Sequence, residues 1–164
     1  MPFYVVASDI VCMETDAIVN AANCTLRPGG GVCGAIFRAA GYDALEKACR
    51  CIGRCDTGCA VITPGFALKA PWIIHTVGPV WHVGGCGEEE LLRSAYRSSL
   101  ALAAERGLTS IAFPLISAGI FGYPKAEALR IARESIVSFL TEHEMDVYLV
   151  LYDNEALSLC EECL

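Results

Sequence analysis

Asn20–Ala21–Ala22–Asn23 is followed six residues later by Gly29–Gly30–Gly31, which opens directly into Val32–Cys33–Gly34–Ala35–Ile36–Phe37–Arg38. An apolar run, Ala17–Ile18–Val19, leads into this stretch and delivers two carboxamides. The glycines then present backbone N–H groups that no side chain can shield, and they allow close approach of a ligand. A helix start follows, with its own unpaired N–H groups and the positive end of a dipole. The order strand, glycine loop, helix predicts a cradle for an anion, most plausibly a phosphate. The plain alternative is a mobile surface loop.

A second loop of the same kind argues against that alternative. Ser117–Ala118–Gly119–Ile120–Phe121–Gly122–Tyr123–Pro124 follows the apolar run Ile111–Ala112–Phe113–Pro114–Leu115–Ile116. It precedes a long helical pattern, with Pro124 suited to the first turn. Two such loops in one small domain suggest a ligand with two phosphates, one held by each. Gly29-x-Gly31-x-x-Gly34 also matches the dinucleotide fingerprint in form, but Cys24–Thr25–Leu26–Arg27–Pro28 separate it from the strand. The acidic residue expected about twenty positions later has only Asp56 as a candidate, inside a turn-like segment. A dinucleotide dehydrogenase is therefore a poor fit.

The spacing of apolar runs predicts strands at Phe3–Ala7, Ala17–Asn20, Ala60–Thr63, Trp72–Val77, Ser110–Leu115 and Val147–Tyr152, apolar on both faces. Helices are expected after Gly31, over about Tyr42–Ile52, over Glu88–Arg106 and Pro124–His143, and from Glu155 to the end. Gly107 is a fitting C-terminal glycine for the third. The expected fold is a three-layer α/β/α sandwich around a mixed, mostly parallel sheet, as one domain over residues 1–164. Ligands in such folds bind beyond the carboxyl ends of the strands, where both glycine loops lie.

Composition narrows the partners. Of 164 residues, 54% are hydrophobic and 19% charged, enough for a full core and too little charge for disorder. No apolar run approaches a membrane span. The opening Met1–Pro2–Phe3–Tyr4–Val5 has no basic n-region, so a cytoplasmic location is expected. The net charge of −7 argues against nucleic acid, but not against a small phosphorylated ligand held by backbone N–H groups. Ten cysteines without a leader suggest reduced, mostly buried thiols rather than disulfides. Neither Cys49-x-Cys51-x₃-Cys55-x₃-Cys59 nor the tail pair Cys160-x₂-Cys163 makes a convincing zinc site, so no metal and no cofactor are expected.

Individual side chains leave alternatives open. Asp9 follows the first strand; it either accepts from an exocyclic amine or caps a turn. Asn23 lies nearer the glycines and is preferred for ligand contact, with Asn20 bracing the loop. His75 reads as a satisfied core histidine, His143 as a helix-end cation, and His82 as a loop residue. Cys33, at the helix start, is either a thiol of lowered pKa and a nucleophile, or a small spacer beneath the ligand; the spacer is favoured. Phe121 and Tyr152 are placed to pack on a ribose and near a base, in competition with core packing.

These residues together resemble the macro domain family. The resemblance spans nearly the whole chain. It rests on Ser8–Asp9–Ile10, Asp16–Ala17–Ile18–Val19–Asn20–Ala21–Ala22–Asn23, Gly29–Gly30–Gly31–Val32, Ile74–His75–Thr76–Val77–Gly78–Pro79 and Ile116–Ser117 through Pro124. Gly78–Pro79–Val80–Trp81 and Val150–Leu151–Tyr152–Asp153 bring it nearest the bacterial O-acetyl-ADP-ribose deacetylase branch. The resemblance implies ADP-ribose, free or on a protein, as ligand. Asp9, with Ile10 beside it and Tyr152 nearby, would hold the adenine. Ser117, Ala118, Gly119, Ile120, Phe121 and Gly122 would wrap the diphosphate and distal ribose. Gly30, Gly31 and Val32 would line the opposite side, and Asn23 would reach the distal hydroxyls.

Hydrolytic members of this branch place an Asp where this chain has Cys33, and a His where it has Phe37. Hydrolysis here would lean on Asn23, on the strained loop and on the ligand's own phosphate. Three functions follow from the resemblance: an ADP-ribosyl ester hydrolase, which is the leading one; a non-catalytic reader of ADP-ribose; and a protein partner of an RNA-processing enzyme. A monomer is favoured, the oligomeric state being otherwise open.

Overall fold

The computed structural model describes residues 2–163. Six strands form one sheet: β1 Phe3–Ala7, β2 Ala17–Ala21, β3 Ala60–Pro64, β4 Trp72–Thr76, β5 Ser110–Phe113 and β6 Asp146–Leu151. Their order is β1-β6-β5-β2-β4-β3, parallel throughout except for the antiparallel pair β3–β4. The helices are α1 Gly31–Ala40, α2 Tyr42–Ile52, α3 Glu88–Glu105, α4 Lys125–Leu140 and α5 Asn154–Cys163.

Strand residues alternate between two cores, as the period of two requires. Ala17, Val19, Ile74, Ile111, Phe113, Val147 and Leu149 face α3, α4 and α5. Ile18, Ile73, Ala112 and Val150 face α1 and α2. These are the expected three layers. The expectation that all six strands are buried on both faces fails at the edges. In β1 and β3 most residues are only half-buried, and Tyr4 stacks in the open against Tyr148 at 5.0 Å. An edge strand has a neighbour on one side only.

Most predicted boundaries are met within a residue or two. The fourth helix stops at Leu140 rather than His143, because Thr141 and Glu142 turn back to bond the carbonyls of Ser138 and Phe139, a tightening of the last turn. Gly107 follows the third helix with φ +71°. A short 3-10 turn, Ile10–Cys12, was not foreseen. His75 is fully buried, as expected, with its ring nitrogens against the Asn20 amide at 3.1 Å and the Thr63 hydroxyl at 2.9 Å. Burial without a charged partner lowers its pKa to about 4, so the ring is neutral. Its Nδ1 accepts from Asn20 and its Nε2–H donates to Thr63.

Two anchors fix the second glycine loop to this frame. The buried Tyr96 hydroxyl accepts the Ile116 N–H at 3.2 Å and donates to the Pro114 carbonyl at 3.5 Å. The Trp81 N–H donates to the Phe121 carbonyl at 2.9 Å.

Candidate functional site

Both glycine loops open onto one cleft of about 740 Å³ at the carboxyl ends of the parallel strands. That volume is within the range of small-molecule sites. Asp9, Ile10, Asn23, Gly30, Gly31, Val32, Cys33, Ser117, Ala118, Gly119, Ile120, Phe121 and Tyr152 all line it. Gly122 does not line the cleft. It closes the loop instead, with φ +74° and its N–H on the Gly119 carbonyl at 3.0 Å.

The first loop is shaped by three requirements. Gly30 caps α1 in extended backbone without a side-chain hydrogen bond, and Gly31 takes φ +57°. The first backbone bond of α1 is Gly34 N–H to the Gly30 carbonyl, so the amides of Gly31, Val32 and Cys33 belong to the open first turn. Gly34 permits the loop to fold onto the helix: a methyl there would sit 2.6 Å from the Gly29 carbonyl oxygen.

The second loop is strained where it meets β4. Ser117 takes φ +66°, a conformation costly for any residue with a Cβ. Its carbonyl accepts the Tyr123 N–H at 2.9 Å, while its hydroxyl is buried with no hydrogen-bond partner. Gly78 is needed beneath it, since a Cβ at that position would lie 2.2 Å from the Ser117 Oγ. Positions Gly31 and Gly119 project into open space. Across the gap, the Ile120 side chain reaches to 3.4 Å from where a Gly30 Cβ would be, so the loops nearly meet over the cleft.

Asp9 meets its capping alternative and also stands in the cleft wall. Its Oδ1 accepts the Val11 N–H at 3.2 Å, capping the 3-10 turn, and the residue lines the cleft. Tyr152 is 81% exposed, which removes the core-packing alternative for it.

Asn20 and Asn23 divide their labour differently from the expectation. Asn23 lines the cleft but also ties its own loop: Nδ2 donates to the Arg27 carbonyl at 2.8 Å, and Oδ1 accepts from Arg27 N–H at 3.0 Å and Thr25 Oγ1 at 2.9 Å. Asn20 is fully buried, and its amide reaches His75 and the Cys33 sulfur at 3.7 Å, with Oδ1 unpartnered.

Cys33 is buried, and its Sγ also approaches the Arg27 carbonyl at 3.8 Å. Burial raises its thiol pKa, outweighing the opposing pull of the Asn20 amide and the Gly29 N–H. The possibility of a lowered pKa at the helix start is thus corrected. Desolvation beats the helix terminus, and the group is a neutral thiol at pH 7.

Several cleft residues carried no motif. Arg38 lines the cleft two turns into α1. Lys125, the first residue of α4, lines it while pairing with Glu155 at 2.9 Å and Asp153 at 3.4 Å. Only their positions after the glycine loops pointed to them. Among the described residues, no group of three His, Cys, Asp or Glu side chains is placed to hold a metal, and no helix is long and apolar enough to cross a membrane. The Cys163 side chain of the tail pair lies outside the described residues.

Comparison with known proteins gives consistent findings. A family model described as the macro domain matches residues 19–132. An O-acetyl-ADP-ribose deacetylase of Salmonella gallinarum is 51% identical over 161 residues, covering 94% of this chain and 89% of its own length. The Oceanobacillus iheyensis macrodomain solved with ADP superposes with a TM-score of 0.91 at 43% identity, over 96% of this chain and 87% of that one. The Trypanosoma brucei macrodomain in complex with ADP-ribose has a TM-score of 0.91 at 37% identity, over 99% of this chain and 68% of that one.

Proposed function

The chain belongs to the macro domain family, and from that premise we propose that it binds ADP-ribose in the cleft and hydrolyses ADP-ribose esters, O-acetyl-ADP-ribose foremost. The observation that carries this reading is the facing pair of glycine loops, with open space at Gly31 and Gly119 and a carboxylate, Asp9, at one end. The diphosphate lies between the loops. It meets the open first turn of α1 on one side and the amides of residues 119–121 on the other. The adenine amine donates to Asp9, whose Oδ1 alone is used by the turn. Tyr152 covers the base, and the distal ribose reaches Asn23.

In the reaction, water adds to the ester carbonyl and the carbon–oxygen bond to the ribose breaks, giving acetate and ADP-ribose. Cys33 is neither base nor nucleophile, because it is buried and protonated. A ligand phosphate oxygen takes the water's proton and hands it to the ribose oxygen as the ester bond breaks; the remaining acid proton of the acetic acid is released to solvent. Asn23 orients the distal hydroxyls by exchanging one of its loop bonds for a ligand bond. An ester of ADP-ribose on an acidic protein side chain presents the same carbonyl and is the second substrate. The neutral Cys33 also favours a second reading, a reader that binds without turnover, since a carboxylate there would supply the water-orienting group.

Calorimetry with ADP-ribose tests the binding. We expect a Kd of micromolar or better, about −8 kcal/mol. Asp9→Ala should weaken ADP-ribose more than ribose 5-phosphate, which lacks the base. No heat at millimolar ADP-ribose would remove the proposal, and equal losses for the two ligands would remove the role of Asp9.

A further inference from the structure

Ten cysteines in 164 residues have no part in the chemistry above. Three of them converge behind the substrate loop. Cys24 directly follows Asn23. Its carbonyl accepts the Cys55 N–H at 2.9 Å, and its Sγ lies 3.7 Å from the Thr57 hydroxyl. Cys59 closes the same turn, its N–H on the Asp56 carbonyl at 3.0 Å. That single N–H···O bond, with the backbone bond lengths on either side of it, holds the two α-carbons within about 6.8 Å, the upper end of the range that a disulfide spans. Cys24 is half-buried and open to small oxidants, whereas Cys55 is buried.

We propose that Cys24 and Cys55 are a redox modification site, a thiol pair that a peroxide converts to a disulfide, and that this bond displaces Asn23; the consequence for activity rests on the function proposed above. The Cys24 sulfur, as thiolate, attacks one peroxide oxygen. The S–O bond forms, the O–O bond breaks, and the leaving hydroxide takes a proton to become water. The Cys55 sulfur then attacks the Cys24 sulfenic acid. The S–S bond forms, the S–O bond breaks, and the Cys55 proton leaves with that hydroxide as a second water. Two thiols and one peroxide thus give one disulfide and two waters. Burial raises the Cys55 pKa to about 11, with the thiols of Cys59 and Cys24 pushing the same way. That makes Cys55 the poorer target for peroxide, so the more accessible Cys24 is oxidised first, and Cys55 attacks the sulfenic acid afterwards through its small thiolate fraction.

The bond must turn Sγ of Cys24 away from Thr57. The chain around it has little slack. Leu26, two residues on, is buried with φ +56°, and the Asn23 side chain is braced by Arg27 and Thr25. Moving Cys24 therefore moves Asn23. A displacement of about 1 Å at a positioning group can cost up to about a hundredfold in rate.

The test uses the full chain, treated with hydrogen peroxide and then with dithiothreitol. Peptide mapping without reduction should find a Cys24–Cys55 link, and O-acetyl-ADP-ribose turnover should fall at least about tenfold and return on reduction. Cys55→Ser should match wild type when reduced and keep its turnover under peroxide. Cys24→Ser gives the same comparison should Cys55→Ser fail to fold. A Cys24–Cys59 link, no link at Cys24, or a Cys24–Cys55 link without loss of turnover would overturn the proposal. If the reduced protein neither binds ADP-ribose nor turns over, the functional reading falls, and the mapping alone still decides the disulfide.

Discussion

Gly34→Ala separates a functional loop from an ordinary helix. In an exposed helix interior this change stabilises by about 0.5–1 kcal/mol, because glycine loses more freedom on folding. Here the new methyl would stand 2.6 Å from the Gly29 carbonyl oxygen and 3.2 Å from Arg38 Nη1. The guanidinium is the end of a flexible side chain and can swing away. The carbonyl is backbone, so relief requires moving Gly29 and the loop that follows. Overpacking of this kind costs about 1–3 kcal/mol, leaving a net loss of up to about 2.5 kcal/mol after the helix gain of about 0.5–1 kcal/mol. For a domain of this size, that lowers Tm by a few degrees. The same shift carries the Gly30–Gly31 amides away from the phosphate, and we expect the Kd for ADP-ribose to rise about tenfold, equivalent to 1.4 kcal/mol. Thermal melting and calorimetry on the purified variant measure both quantities. A higher Tm with unchanged Kd would refute the reasoning, since it would make Gly34 a common helical glycine.

Gly119→Glu should abolish ADP-ribose binding with Tm nearly unchanged, because nothing lies within 4 Å of its Cβ and the added carboxylate enters the phosphate path; calorimetry showing normal affinity in the folded variant would remove the second loop from the site. The buried, neutral His75 makes the fold acid-sensitive. Its folded pKa of about 4 lies below the ordinary value of 6.5, so the unfolded chain binds more protons between those values, and the stability present above pH 6.5 is lost as pH falls toward 4. His75→Gln should flatten that slope in melting experiments between pH 7 and 4. Iodoacetamide at pH 7.5 should label exposed Cys12 and Cys51 well before buried Cys33, and mass spectrometry that finds Cys33 first would contradict its description as a protonated thiol.

The layers of this fold were legible because apolar runs and helical periods are local signals. The strand Phe3–Ala7 matches its expected span, and the helix expected over about Tyr42–Ile52 forms there, between Gly41 and Gly53. The glycine loops were legible because a run of glycines between a strand and a helix is also a local signal, although of their glycines only Gly31 and Gly122 take a positive φ. What the sequence could not disclose were side-chain choices made by tertiary contacts. Asn23 and Asn20 are the same residue type three positions apart, and only the pairing of β2 with β4, which sets Asn20 opposite His75, buries one and leaves the other in the cleft. The Cys33 pKa depended on desolvation by elements distant in sequence. Gly122 shared its loop with true lining residues, yet its backbone closes the loop instead. Lys125 and Arg38 carry charge on helices whose orientation toward the cleft is a property of the packed sheet.

The central claim is that a macro domain with a neutral thiol at position 33 still hydrolyses ADP-ribose esters. Its most direct test is the rate at which the wild-type protein and Cys33→Ala release ADP-ribose from O-acetyl-ADP-ribose, followed by chromatography under reducing conditions. The account predicts turnover well above the uncatalysed rate in wild type, with most of it retained in Cys33→Ala. Saturable ADP-ribose binding with no turnover would contradict the enzymatic claim, and loss of turnover confined to Cys33→Ala would contradict the mechanism.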